Sequence, residues 1–387
     1  MQTHDIYLDF NATTPVEPEV LDAMLPYLGA RFGNPSSDHP LGRQARDAVE
    51  RARCEVADLI GATPDEIIFT GGGTESSNIA IRGSLPSGRP SIVTTAIEHP
   101  ATEACCALLE AQGRHILRIH PENNGLVDAN SMAEAIDDTV GLITLIHAQN
   151  EIGTLQPVRE IATAARQRGV LVHTDAAQSV GKVAVDVNEM AVDLLSIAGH
   201  KLYAPKGIGA LFVRRGTPLR PLVVGGGQES GRRPGTENVA FVVGLGAACS
   251  LARRHRDHFR QHAADLSSLL LGLLRREVPD LILVGDPDRR LPNTLNVLFP
   301  GVSGRALLGS CDRVMASNGS ACHADSEEPS AVLQALGVPR SAALGAVRLS
   351  LGRTASRAEV EAACAELARA WRTLSSGREA GRDMHRA

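Results

Sequence analysis

Between about residue 55 and residue 215 the chain alternates short apolar runs with longer amphipathic stretches, and this alternation limits the fold more than any other feature. Apolar runs at 66–70, 91–96, 115–120, 141–147, 170–174 and 194–198 have the length of strands, and 208–214 adds a seventh. Helical periodicity fills the gaps at 76–84, 101–112, 131–137 and 158–168. Helix alternating with strand predicts an α/β protein with a mainly parallel, seven-stranded sheet covered by helices on both faces.

The pattern changes near Thr236. A long helical stretch runs from there to about Val278, and its run at 253–262 is rich in Arg and His. That run reads either as a basic patch or as a solvated helix face, and Asp257 with the flanking acids favours the face. Strands at 281–284 and 293–299 and helices at 330–336 and 357–372 predict a smaller α+β domain. A chain of 387 residues is long enough for two domains that share a core. The expected division is a large domain at 16–260, a small domain made of 1–15 and 261–375, and a polar, disordered tail at 376–387.

Composition narrows the function classes. Hydrophobic residues at 43% and charged residues at 21% are ordinary for a soluble globular protein. A net charge of −5 argues against a nucleic-acid surface. No apolar run approaches the ~20 residues that span a bilayer, and the first ten residues carry no signal pattern. A cytoplasmic enzyme is the expectation. The seven cysteines are odd in number and show no Cys-x-x-Cys spacing, so most are expected to be reduced, buried and apolar in role, with no metal site.

Of 39 basic residues only Lys182, Lys201 and Lys206 are lysine, and arginine cannot form an imine. Lys201 ends an apolar strand ahead of a Gly/Pro-rich loop, where a lysine is costly unless paired or covalently used. Lys182 and Lys206 are expected in solvent. Thr70-Gly-Gly-Gly-Thr-Glu-Ser76 joins a strand to a helix; it can cradle an anion at the helix N-terminus or simply make a tight turn. Asp175, ending another strand, points to the ligand crevice of such sheets or caps a helix. Cys322 lies in a turn-rich stretch beside His323, where a thiol is either a nucleophile or structural.

Together these pieces resemble the NifS/IscS-type cysteine desulfurases and the related selenocysteine lyases, within fold-type I pyridoxal-phosphate enzymes. The likeness covers residues 6 to about 365. It runs from Tyr-Leu-Asp-Phe-Asn-Ala-Thr-Thr-Pro at 7–15 and Gly-Asn-Pro-Ser-Ser at 33–37 through Gly-Gly-Thr-Glu-Ser at 72–76, Glu98-His99 and Asn150-Glu-Ile-Gly153. It continues through His173-Thr-Asp-Ala-Ala-Gln178, Gly199-His-Lys201, Gly225-Gly-Gly-Gln-Glu229, Arg233-Pro-Gly-Thr-Glu-Asn238, Gly319-Ser-Ala-Cys322 and Arg348-Leu-Ser-Leu-Gly352.

The resemblance implies pyridoxal 5'-phosphate held as a Schiff base on Lys201, with Asp175 at the ring nitrogen, His99 on the ring and Gln178 at the ring oxygen. Gly73, Thr74 and His200 would hold the phosphate, with Thr236 reaching it from the second subunit of a homodimer. Asn150 and Arg348 would bind the substrate carboxylate, and Cys322 would take sulfur from L-cysteine as a persulfide, leaving L-alanine. The sulfur would pass to an acceptor protein for iron–sulfur or thio-cofactor assembly. One departure is Ala198, where the family has a serine that binds phosphate; Ser196 or water would have to replace it. Ala198 and the 315–323 stretch lean toward selenocysteine lyases, while Glu98-His-Pro-Ala101 and Ser326-Glu-Glu-Pro-Ser330 look like desulfurases.

Overall fold

The computed structural model describes residues 5–318 and 328–384, with side chains described as far as residue 376. The chain opens with strand β1 (Ile6–Tyr7) and helices α1 (Pro18–Leu28) and α2 (Pro40–Ile60). Strand and helix then alternate as predicted: β2 (Ile67–Thr70), α3 (Gly73–Ser84), β3 (Ser91–Thr95), α4 (Pro100–Ala111), β4 (Ile116–Ile119), α5 (Ala129–Glu134), β5 (Val140–Ile146), α6 (Val158–Gln167) and β6 (Leu171–Asp175). Strands β7 (Leu194–Ala198) and β8 (Gly209–Val213) close this part.

These strands form one seven-stranded sheet in the order β2-β8-β7-β6-β5-β3-β4. All neighbours are parallel except β8, which runs antiparallel to both β2 and β7. Every residue of β5 is buried, because helices cover both faces, and its sequence is accordingly a continuous apolar run rather than an alternating one.

Helix α7 (Val239–Glu277) is 39 residues long, about 58 Å at the usual rise. Its N-terminal part, Val239–Ala252, packs in the main core with α2. There a Cβ on Gly246 would lie 2.6 Å from the Ala52 backbone, so only glycine permits this approach. Its C-terminal part puts Leu266, Leu270 and Leu274 into a second cluster, at the four-residue spacing of one helix face. The basic run at 253–262 is a solvated face: Arg253 reaches Asp58, Arg254 reaches Glu19, and Phe259 alone turns inward.

After α7 come β9 (Ile282–Val284), β10 (Thr294–Leu298), α8 (Gly304–Gly309), β11 (Val314–Met315), α9 (Ala331–Ala335), α10 (Arg340–Ala343), β12 (Ala346–Ser350) and α11 (Arg357–Met384). Strands β12-β10-β9 make an antiparallel sheet, and β1 pairs in parallel with β11. Ile6 and Leu8 thus share an apolar cluster with Val297, Leu349 and Leu367. The helical backbone of α11 continues to Met384, beyond residue 376 where the sequence predicts disorder, since Arg, Glu and Ala in this stretch are good helix formers.

Candidate active site

The parallel strands β3, β6 and β7 each lead into a polar residue at one side of the large sheet, where such sheets form ligand crevices. After β3 comes His99, the N-cap of α4, whose Nδ1 accepts the Ala101 N–H at 3.1 Å. That bond leaves any ring proton on Nε2. Burial holds His99 below the ordinary histidine value; Asp175 opposes that shift and Lys201 adds to it. Asp175 ends β6, is buried, and accepts the Ala177 N–H at 2.9 Å. Burial raises its carboxyl, while His99 and Lys201 pull it back toward the anion.

Lys201 closes the short 3-10 turn Gly199–Lys201 at the end of β7. Its Nζ donates to the carbonyls of Asn11 at 2.5 Å and Ala12 at 2.8 Å. Burial, then the Arg348 charge, lower it to about 8, against Asp9 and Asp175. An amine so placed is available as a base or nucleophile near neutral pH. Tyr203, two residues on, is held at φ +66°, a strained conformation for an aromatic residue. It is fixed by a bond from its N–H to Thr14 Oγ1 at 3.0 Å, by the Arg353 N–H donated to its hydroxyl at 2.7 Å, and by the Arg353 guanidinium over its ring.

Gly73 and Thr74 open α3, whose N-terminus no side chain caps. Such an end presents free N–H groups to an anion. A Cβ on Gly73 would come within 3.2 Å of Ala198 Cβ, so the missing serine hydroxyl would have faced this turn. Ser196 does not stand in for it, because its hydroxyl is bonded to His173 at 2.8 Å and Ser77 at 3.2 Å inside the sheet. His200 lies nearby with Nδ1 3.1 Å from Thr13 Oγ1, pushed down to about 4 chiefly by burial.

Arg348, central in β12, is buried. Its Nη2 donates to Asp9 at 2.6 Å and Nη1 to the Asn150 carbonyl at 3.2 Å, while its Nε is buried without a partner among the described residues. Gln178 is buried, donating to the Asn11 carbonyl at 2.9 Å. The structure therefore gathers Lys201, Gln178, Asn150 and Arg348 around the segment at 9–12, with Asp175 and His99 in electrostatic reach of Lys201. Thr236 stays apart, exposed ahead of α7, with no hydrogen bond among the described residues.

Cys322 and His323 lie outside the described residues. The chain before them is tied down by Ser317, which exchanges backbone hydrogen bonds with Arg348. The chain after them is tied by Ser330, whose hydroxyl donates to Glu151 at 2.5 Å. Of the other cysteines, Cys105, Cys106, Cys249 and Cys364 are buried and Cys311 is half-buried, and burial raises all five thiols. Cys54 departs from the expected burial and is exposed on α2.

One sequence expectation is overturned here. Lys182 is not solvated but 5% exposed, donating to Asn11 Oδ1 at 2.9 Å and Gln178 Oε1 at 2.8 Å, whereas Lys206 is exposed as expected. Sequence reasoning also gave no role to Asn11, Asp9 or Glu98. Asn11 and Asp9 sit in the Tyr7–Pro15 motif, and Glu98 precedes His99, so the signal was position within a motif rather than chemistry. Glu98 is buried, with Oε1 accepting from Thr95 Oγ1 at 2.5 Å and the Ile146 N–H at 3.0 Å.

A polarised lysine, a buried carboxylate, a neutral imidazole and an open helix N-terminus suit an aldehyde cofactor that carries a phosphate and a basic ring nitrogen. The chain belongs to the aminotransferase class-V family, which matches residues 6–363 and whose members use pyridoxal 5'-phosphate. Within that family it is 44% identical over 353 residues to a cysteine desulfurase IscS of Dictyoglomus turgidum, covering 90% of each chain. A solved NifS-like protein superposes with a TM-score of 0.89 at 33% identity, over 96% of this chain and 99% of that one. A structure of SspA in complex with cysteine matches at 37% identity and a TM-score of 0.78, over 89% and 98%.

Proposed function

We propose that the chain is a cysteine desulfurase that converts L-cysteine to L-alanine and holds the released sulfur on Cys322 as a persulfide for an acceptor protein. The observation that carries this reading is Lys201, a half-buried lysine bonded among the described residues to two carbonyls, in a chain similar over nine-tenths of its length to desulfurases. Pyridoxal 5'-phosphate, when bound, withdraws electrons from the substrate Cα. Asp175 is the residue for its ring nitrogen, Gln178 for its ring oxygen, His99 for the ring face, and Gly73, Thr74 and His200 for its phosphate.

The neutral Lys201 amine takes the Cα proton, while Arg348 and Asn150 hold the substrate carboxylate. Asp9 keeps the buried Arg348 guanidinium paired and aimed before substrate arrives. The Cys322 thiolate then attacks the substrate sulfur. An S–S bond forms, the C–S bond breaks with its electron pair left on the substrate, and alanine results once Cβ is protonated and a proton is returned to Cα. Raised thiols at Cys105, Cys106, Cys249, Cys311 and Cys364 disfavour those five as the nucleophile.

Exposed Thr236, which among the described residues has no hydrogen bond to the other site residues, supports a homodimer in which it completes the phosphate site of a second copy. Sedimentation and activity measured together test this: activity falling as dimers dissociate is expected, and a fully active monomer at every concentration overturns it. No helix among the described residues is long and apolar enough to cross a membrane.

The function itself is tested by alanine formation from L-cysteine and L-selenocysteine under identical conditions, with and without a thiol acceptor. Turnover of cysteine, stimulated by the thiol, is expected. Turnover of selenocysteine alone would instead make the chain a selenocysteine lyase, the reading that Ala198 favours.

A further inference from the structure

Lys182 is the one buried lysine that the reaction above does not use. It follows a tight turn at Gly181 and carries its Nζ inward to two neutral acceptors, Asn11 Oδ1 at 2.9 Å and Gln178 Oε1 at 2.8 Å. No carboxylate lies within 4.0 Å of it among the described residues. Burial, and next to it the charges of Lys201 and Arg348, push it well below the ordinary lysine value. A lysine in such a place is costly, so the contacts it makes have to be accounted for.

An amide has one accepting and one donating end, and a lysine amine facing two amide oxygens decides which end points where. With Gln178 Oε1 turned to Lys182, its Nε2 must face the other way, where it donates to the Asn11 carbonyl at 2.9 Å. With Asn11 Oδ1 also turned to Lys182, its Nδ2 donates to Thr294 Oγ1 at 2.9 Å and the Asn150 carbonyl at 3.3 Å. The same Asn11 carbonyl accepts Lys201 Nζ at 2.5 Å.

We propose that Lys182 is a positioning residue for the reaction: it sets the amide orientation of Gln178 and holds Asn11, which in turn fixes Lys201. This rests on the reading of Lys201 and Gln178 as cofactor residues. Its effect runs through other side chains, since Lys182 is 5% exposed and its Nζ is spent on Asn11 and Gln178.

The test compares Lys182→Met, Lys206→Met and Lys201→Ala, each purified as full-length protein and loaded with pyridoxal 5'-phosphate. The readouts are the dissociation constant of the cofactor, the pH midpoint of its visible absorbance, and the thermal midpoint of the apo form. Lys182→Met is expected to keep the band, shift its pH midpoint and weaken cofactor binding about tenfold, the loss of one to two buried hydrogen bonds. Lys206→Met should match wild type. If Lys182→Met does not accumulate as folded protein, Lys182→Gln replaces it with the same readouts. A lowered thermal midpoint with an unmoved band and unchanged binding would make Lys182 merely structural and overturn the proposal. Should Lys201→Ala keep the band, the underlying cofactor reading fails instead.

Discussion

Asp9 and Arg348, 339 residues apart in the chain, meet at 2.6 Å and join the N-terminal segment to the small antiparallel sheet. The Arg348 side chain is 5% exposed and that of Asp9 22%. The pair therefore neutralises a buried cation at the point where a substrate carboxylate must be received.

Breaking this pair leaves that cation unpaired. Asp9→Ala should cost about 3 kcal/mol of stability, the low end for a buried pair because Asp9 is partly solvated. Arg348→Lys should keep the cofactor absorbance but raise KM for cysteine by about tenfold or more, since an ammonium cannot reproduce the two-pronged fork. Denaturant melts and steady-state kinetics check the two halves; an unchanged KM would remove Arg348 from substrate binding.

Cofactor capture requires a neutral amine, and Lys201 is lowered to about 8. The rate of pyridoxal 5'-phosphate loading into the apo form should rise with pH and level off above about 8, followed by visible absorbance. Lys206→Ala should leave that profile in place. The apo form should gain stability from Lys201 as pH rises from about 8 toward the unfolded lysine value near 10.4, because the unfolded chain binds the extra proton in that window.

Glu98 behaves in the opposite sense. Burial raises its carboxyl to about 8, above the ordinary glutamate value of 4.5, so the folded form holds a proton that the unfolded form releases. Its contribution is full below 4.5 and is lost as pH climbs to about 8. Glu98→Gln should flatten the fall in apo stability across that window. Glu98→Ala should cost about 2–4 kcal/mol through unpaired Thr95 and Ile146 donors and the space left behind. Chemical melts at a series of pH values distinguish the two variants, and equal losses in both would refute a neutral acid.

The large sheet was legible because helix–strand alternation is local and recurs through four helices from β2 to β6. Helix α7 was legible for the same reason, its periodicity being long enough to outweigh the basic run inside it. Lys182 was not. Gly-Lys-Val-Ala-Val at 181–185 looks locally like a turn followed by an alternating exposed segment, and it takes Asn11, 171 residues away, together with Gln178 to make it a buried donor. Asp9 failed to register for a similar reason, since its meaning depends on β12. Strand ends moved by a residue, as at Asp175, where pairing with Ile146 on the neighbouring strand extends β6. Lys201 and Asp175 stood out because a charged residue ending an apolar strand needs no partner to be conspicuous.

The most direct test of the central claim is alanine release from L-cysteine by wild type and by Cys322→Ala, with mass spectrometry of the peptide that carries residue 322. Wild type should release alanine and carry an added sulfur atom on Cys322. Cys322→Ala should keep the cofactor absorbance yet lose nearly all cysteine turnover, while retaining elimination from selenocysteine, whose C–Se bond is weaker. Full cysteine turnover in Cys322→Ala, or the sulfur adduct on Cys311 instead, would contradict the mechanism.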